Sequence, residues 1–362
     1  MDNKKESRTK GNRIYFLDNL RTIIVFLVVL YHAGGVYESS GFWASFWIVD
    51  DPATNDLVGI LNLVLDIFLM STMFFISGYL TPMSLKNKDA WVFLKARFKR
   101  LMLPWMVAVL TLIPLYKVIF LSSRNMPQEK WGSYFHFSNG FISQSWLWFL
   151  PVLFLFDVLY VLLSSLNWLP ARISLKFAIA ATFFIGFVTN FSMDIFEARG
   201  WTLTALIDFQ NERLLVYFMI FLLGSLCFRQ NVFASKPKSK KLFVVANSTS
   251  WIPITIYVIF LLFPLINAGS FIISPVMDRL ILWLGFSFSL LCLLYVSIET
   301  FWRYVDKPGK IWNELNRNAY YVYIIHLIVM GGIALALLET TVKVTPGKAG
   351  GLFIGAPRRG CS

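Results

Sequence analysis

Nine stretches of this chain stay apolar for 17 to 26 residues: 15–37, 57–82, 101–121, 146–166, 173–191, 212–228, 242–266, 279–298 and 319–338. A helix needs about 20 such residues to cross the hydrocarbon of a bilayer. Lipid offers no partner to backbone N–H and C=O groups, so a segment at that depth must satisfy its own, as a helix does. Composition removes the alternative of core helices in a water-soluble protein. Charged residues make up 15% of the chain and hydrophobic residues 57%, where soluble domains carry about 25% charged. The mean hydropathy is +0.63. The chain reads as all-α, a polytopic transmembrane bundle of nine spans over 15–338, between a basic N-terminus (1–14) and an atypical tail (339–362).

Segments between the runs alternate in charge. Every second one, beginning with 1–21, belongs to a set holding 23 Lys and Arg, and the intervening segments hold 6. The positive-inside rule then puts the N-terminus in the cytoplasm, in a plasma or inner membrane crossed many times. These loops account for the net charge of +13, so no nucleic-acid partner is read from it. The basic start resembles a signal peptide, but no small-x-small site ends the run, and Tyr31, His32 and Glu38 fall where cleavage would lie. An uncleaved first helix is expected. Nine crossings leave the tail outside with Lys343, Lys348, Arg358 and Arg359. Four basic residues on that side predict a tenth helix, which the tail is not apolar enough to supply.

Cys227, Cys292 and Cys361 make no disulfide framework, and three histidines without paired spacing offer no metal site. Ionisable groups at membrane depth are costly and face the bundle interior, so they mark candidate sites. Arg21 and His32 are eleven residues apart, three helical turns, which aligns them on one stripe about 16 Å apart. Asp18, one turn before Arg21, can neutralise it. Asp66 and Ser77 share a face of the second span by the same spacing, although Ser77-Gly78 also suits close helix packing. Arg97 and Arg100 can clamp phosphates or carboxylates at the cytoplasmic end of the third span, or act as stop-transfer charges. His326 falls about seven residues inside the cytoplasmic end of the last run. Asp157 is a second buried acid or a hydrogen-bond partner, and Trp146 and Trp148 read as an interfacial belt.

These residues carry a resemblance. LDNLRTIIVFLVVLYH resembles the opening of the acyltransferase-3 family of membrane acyltransferases, with Arg21 and His32 matching its R-x10-H motif. VLDIFLMSTMFFISGYL is similar to its second-helix signature, RFKR (Arg97 to Arg100) to its R-x-x-R motif, and SWLWFLPVLF to its Trp-Phe-Leu segment. LNRNAYYVYIIHLIV is similar to its late Tyr…His helix. The resemblance implies ten helices. It also implies transfer of an acyl group, of the acetyl or succinyl class, from a cytoplasmic donor such as acyl-CoA to a hydroxyl of a carbohydrate or other cell-surface acceptor.

On that reading Arg97, Arg100 and Arg21, with Ser77, receive the donor's phosphates. His32 is the general base, helped by Asp18 beside Arg21, and Asp66 and His326 position the reactants. No bound cofactor is expected. No Ser-His-Asp triad appears, which favours direct transfer over a covalent intermediate. The rival is a transporter or flippase in which the same charges line a permeation path.

Overall fold

Four of the helices begin on a side chain that can cap them. In the computed structural model, Asn55 Oδ1 accepts from Leu57 N at 3.0 Å at the head of α2 (Asp56–Leu85), and Asp89 Oδ2 from Trp91 N at 3.0 Å at the head of α3 (Ala90–Ser123). Ser174 caps α5 (Leu175–Ile195), and Ser274 caps α9 (Pro275–Tyr304), which has proline in its first turn. The others are α1 (Tyr15–Gly35), α4 (Phe149–Ser165), α6 (Asn211–Arg229), α7 (Lys241–Thr249), α8 (Trp251–Ile266) and α10 (Lys310–Leu338). The structure describes residues 14–37, 47–51, 55–86, 88–136, 144–169, 173–235 and 239–338. The basic residues of 1–13 and the tail 339–362, with the tenth helix argued from it, lie outside these.

Among the described residues, nine spans are long and apolar enough to cross a membrane, with α7 and α8 forming one of them. The expected nine-span helical bundle is therefore observed. Two helices start well before their apolar runs, α3 at Ala90 and α10 at Lys310. Lys and Arg are good helix formers, so these helices continue past the hydrocarbon edge where the apolar run stops. The polar stretch between α5 and α6 holds a short antiparallel hairpin, β1 (Trp201–Thr202) with β2 (Phe209–Gln210).

Two apolar cores meet across α2 and α6. One gathers α3, α4 and α10, the other α1, α8 and α9. The α2–α6 crossing is close because each helix presents glycine to the other's backbone. A Cβ on Gly78 would stand 1.9 Å from the Phe221 carbonyl oxygen, and one on Gly224 would stand 2.2 Å from that of Phe75. This is the packing role that Ser77-Gly78 permits. The outward faces of α3, α5 and α8 carry exposed Leu103, Val107, Leu110, Phe184, Val188 and Ile259, an apolar surface that water would not tolerate over such an area.

Candidate functional site

Side chains pin the register of α1 against α10 twice, at the same sequence offset. Near the helix starts, Thr22 donates its hydroxyl hydrogen to Asn316 Oδ1, and Asn316 Nδ2 donates to Asn19 Oδ1 at 2.9 Å. Ten residues further along both helices, His32 Nδ1 lies 3.0 Å from His326 Nε2. His32 is the eighteenth residue of α1 and His326 the seventeenth of α10. Two parallel helices therefore carry imidazoles to one depth, about 25 Å from their starts. The apolar run alone put His326 near the basic end; the extra turns of α10 move it level with His32.

Hydrogen-bond chemistry then fixes where the protons sit. His326 Nδ1 is 2.8 Å from the Tyr323 carbonyl oxygen, which can only accept, so that nitrogen carries the proton. In the neutral ring Nε2 keeps a lone pair, and the group facing it, His32 Nδ1, must donate. His32 Nδ1 is also 2.9 Å from the Val28 carbonyl. The assignment ends at His32 Nε2, which holds an unshared pair. Trp47 stacks on the His32 ring at 5.6 Å between centroids.

His32 lines a cavity of about 360 Å³ in the half of the bundle away from the basic segments. Seven aromatic side chains line it, Tyr31, Trp47, Tyr116, Trp146, Trp148, Trp201 and Tyr217, with Asp66, Asp208 and Gln210 among the rest. Trp146 and Trp148 are thus cavity wall and not an interfacial belt. Trp146 is buried, donates from Nε1 to the Ile324 carbonyl at 3.0 Å, and accepts at its own carbonyl from the Tyr323 hydroxyl. Among the described residues no group of three or more His, Cys, Asp or Glu side chains gathers that could hold a metal.

Asp66 is held by a residue that the sequence counts as a loop charge. Arg213, buried in the first turn of α6, donates from Nη2 to Asp66 Oδ2 at 2.6 Å and from Nη1 to the Asp66 carbonyl at 3.0 Å. Its guanidinium lies over the Phe286 ring at 5.1 Å. The signal was present in principle, because an acid in mid-span requires a cation. Asp208 gave no such signal. It sits at the foot of the hairpin, where Oδ1 accepts from Thr204 N at 2.9 Å and Oδ2 from Gln144 N at 3.1 Å. Burial pushes its carboxyl up to about 6, against the pull of those two N–H groups.

The remaining candidates lie toward the basic end and do not line this cavity. Arg21 pairs with Asp18 at 3.3 Å. Arg97 Nε lies 3.3 Å from Asp157 Oδ2, and Arg97 Nη2 donates at 3.2 Å to the Thr81 hydroxyl, itself 2.7 Å from Asp157 Oδ1. Asp157 is thus the buried counter-ion that joins α4 to α3 and α2. Arg100 is exposed, and its carbonyl accepts from the Tyr320 hydroxyl at 2.8 Å. Ser77 is half-buried one turn before Thr81.

Comparison with known proteins identifies the family. The acyltransferase-3 family model, described as an acyltransferase domain, matches residues 14–354. A stretch of 171 residues, 46% of this chain, is 25% identical to glucans biosynthesis protein C of Salmonella gallinarum (strain 287/91 / NCTC 13346). That stretch spans 42% of the relative, less than half its length. No solved structure matches the chain. With a family match over nearly the whole chain, set on a bundle of membrane-length helices, the conclusion is direct: this chain belongs to the acyltransferase-3 family.

Proposed function

We propose that the protein moves an acyl group from a cytoplasmic thioester donor of the acyl-CoA type to a hydroxyl of a carbohydrate acceptor, with His32 as general base. The observation that carries this reading is the His32–His326 pair at the cavity wall. The acceptor oxygen attacks the thioester carbonyl carbon while its proton passes to His32 Nε2. The C–S bond breaks, the ester forms, and the departing thiolate takes the proton back from His32 Nε2 to leave as the free thiol, which returns the imidazole to its neutral form. The imidazolium formed at His32 keeps Nδ1–H directed at His326 Nε2 and the Val28 carbonyl, which share its charge.

The basic end is the donor side in this proposal. Arg100, exposed three turns into α3, and Arg21 meet the donor's phosphates, with Arg97 fixed by Asp157. The strong bias of Lys and Arg toward that end supports a cytoplasmic assignment for it. The donor's acyl end then reaches His32 along α1. A carbohydrate acceptor is supported by the name of the glucans relative and by the aromatic cavity.

His32→Gln tests the reading, since an amide keeps hydrogen bonding but cannot take the proton. At matched abundance in membranes, acylated product should fall by about 10²–10⁴-fold. Near-normal acylation would remove the base role, and movement of an unmodified solute with no acylated product from wild type would restore the transport reading.

A further inference from the structure

The charges around the cavity define which acceptor it can hold. No Lys or Arg is among its described lining residues, while Asp66 and Asp208 are. Two guanidiniums that contact lining residues are already engaged. Arg213 grips Asp66, and Arg124 donates to the carbonyls of Trp47 and Phe120 at 3.1 and 3.2 Å. An anionic group brought here would meet the Asp208 carboxyl and an Asp66 already paired with Arg213, with no Lys or Arg among the described lining residues to receive it.

The same walls suit a neutral polyhydroxylated ring. Indole and phenol faces cover the apolar C–H face of such a ring, and carboxylate and amide oxygens accept from its hydroxyls. Trp201 is placed for this at the rim. It stands on β1 with 38% of its surface exposed, edge-on to Trp148 at 5.4 Å and 79°. Gln210, on β2, lines the same opening. The hairpin is anchored by Asp208 to Thr204 and to the segment before α4 through Gln144.

Resting on the acyl-transfer reading above, we infer that this cavity is the acceptor subsite for an uncharged glycan, and that the 201–210 hairpin selects it through Trp201 stacking, with no Lys or Arg among the described lining residues to receive an anion. Acidic sugars and phosphorylated acceptors are excluded.

The test is binding, which needs no acyl transfer. Purified full-length protein in detergent is titrated with glucose pentasaccharides (α- and β-linked) and with a galacturonate pentasaccharide, followed by intrinsic tryptophan fluorescence and calorimetry. A glucose pentasaccharide should bind saturably and at least tenfold tighter than the uronate. Trp201→Ala should weaken it by at least tenfold, about 1.4 kcal/mol, and Trp201→Phe should recover part of the loss. Gln210→Lys should narrow or reverse the discrimination. Thermal unfolding and size-exclusion profiles verify that the variants fold. Tighter binding of the uronate, binding of neither sugar, or full affinity in Trp201→Ala would each overturn the proposal. Sugar binding with no acylated product would instead sink the acyl-transfer reading and leave the subsite standing.

Discussion

Adding a single methyl group at Gly78 should separate the two helices that hold the cavity together. A Cβ there would lie 1.9 Å from the Phe221 carbonyl oxygen, whereas carbon and oxygen in contact keep about 3.3 Å. The missing distance is about 1.4 Å. It cannot be recovered by a rotamer change, because both obstacles are backbone. Helix α6 must move away from α2, and Gly224 against the Phe75 carbonyl makes the same demand from the other side. Overpacking of this kind costs about 1–3 kcal/mol. The displacement would also strain the Asp66–Arg213 bridge, which joins the same two helices at 2.6 Å. Thermal unfolding of purified Gly78→Ala should therefore fall by several degrees, further in the Gly78→Ala, Gly224→Ala double variant. Gly332→Ala is the control, since nothing lies within 4 Å of a Cβ there, and its effect should stay within about 0.5 kcal/mol. Equal stability of Gly78→Ala and Gly332→Ala would refute the close-crossing argument.

Three further outcomes follow from the site. His326→Phe removes one of two acceptors for His32 Nδ1–H and leaves the Val28 carbonyl. Acylation should fall only two- to tenfold, as losing one net hydrogen bond of about 0.5–1.5 kcal/mol implies, and its pH profile should shift; a loss as large as that in His32→Gln would give His326 the proton-transfer role. Asp157→Leu leaves Arg97 buried without its counter-ion and should cost about 3–5 kcal/mol, while adding Arg97→Met should restore most of the thermal stability; a double variant no better than the single would refute the pairing. Asp208, held up to about 6 by burial, favours the folded state fully below its ordinary carboxyl range and loses that contribution as pH rises through about 6. Wild type should gain thermal stability as pH falls from 7 toward 4, and Asp208→Asn should lose that gain; identical slopes would exclude Asp208 as its source.

How much of this was legible in the sequence depends on which force set each feature. The nine spans were legible because lipid imposes a length on every apolar run, and each run became a helix within a few residues at its apolar end. The starts of α3 and α10 were not, because amphipathic turns beyond the hydrocarbon obey helix propensity instead. That single error moved His326 away from His32. Spacing within one helix aligned Arg21 with His32, but periodicity carries no information about which helix lies opposite. The α1–α10 register depends on Asn19, Thr22 and Asn316, ordinary polar residues until they are seen to face one another. Arg213 and Asp208 were hidden for a related reason: at the ends of runs, a buried charge and a loop charge look alike.

The placement of the charges would also let one bundle keep the two proposed reactants apart. The basic end holds guanidiniums with partial counter-ions, Arg21 with Asp18 and Arg97 with Asp157. The far end holds carboxylates and aromatic rings around His32. In the reaction proposed above, a phosphate-bearing donor would be drawn to the first and not to the second, and an uncharged acceptor would gain nothing at the first and stack in the second. The imidazole pair lies between them, deep in both α1 and α10. On that proposal, proton transfer at His32 would need no large movement of either reactant, because the gradient of charge along the bundle would order them beforehand.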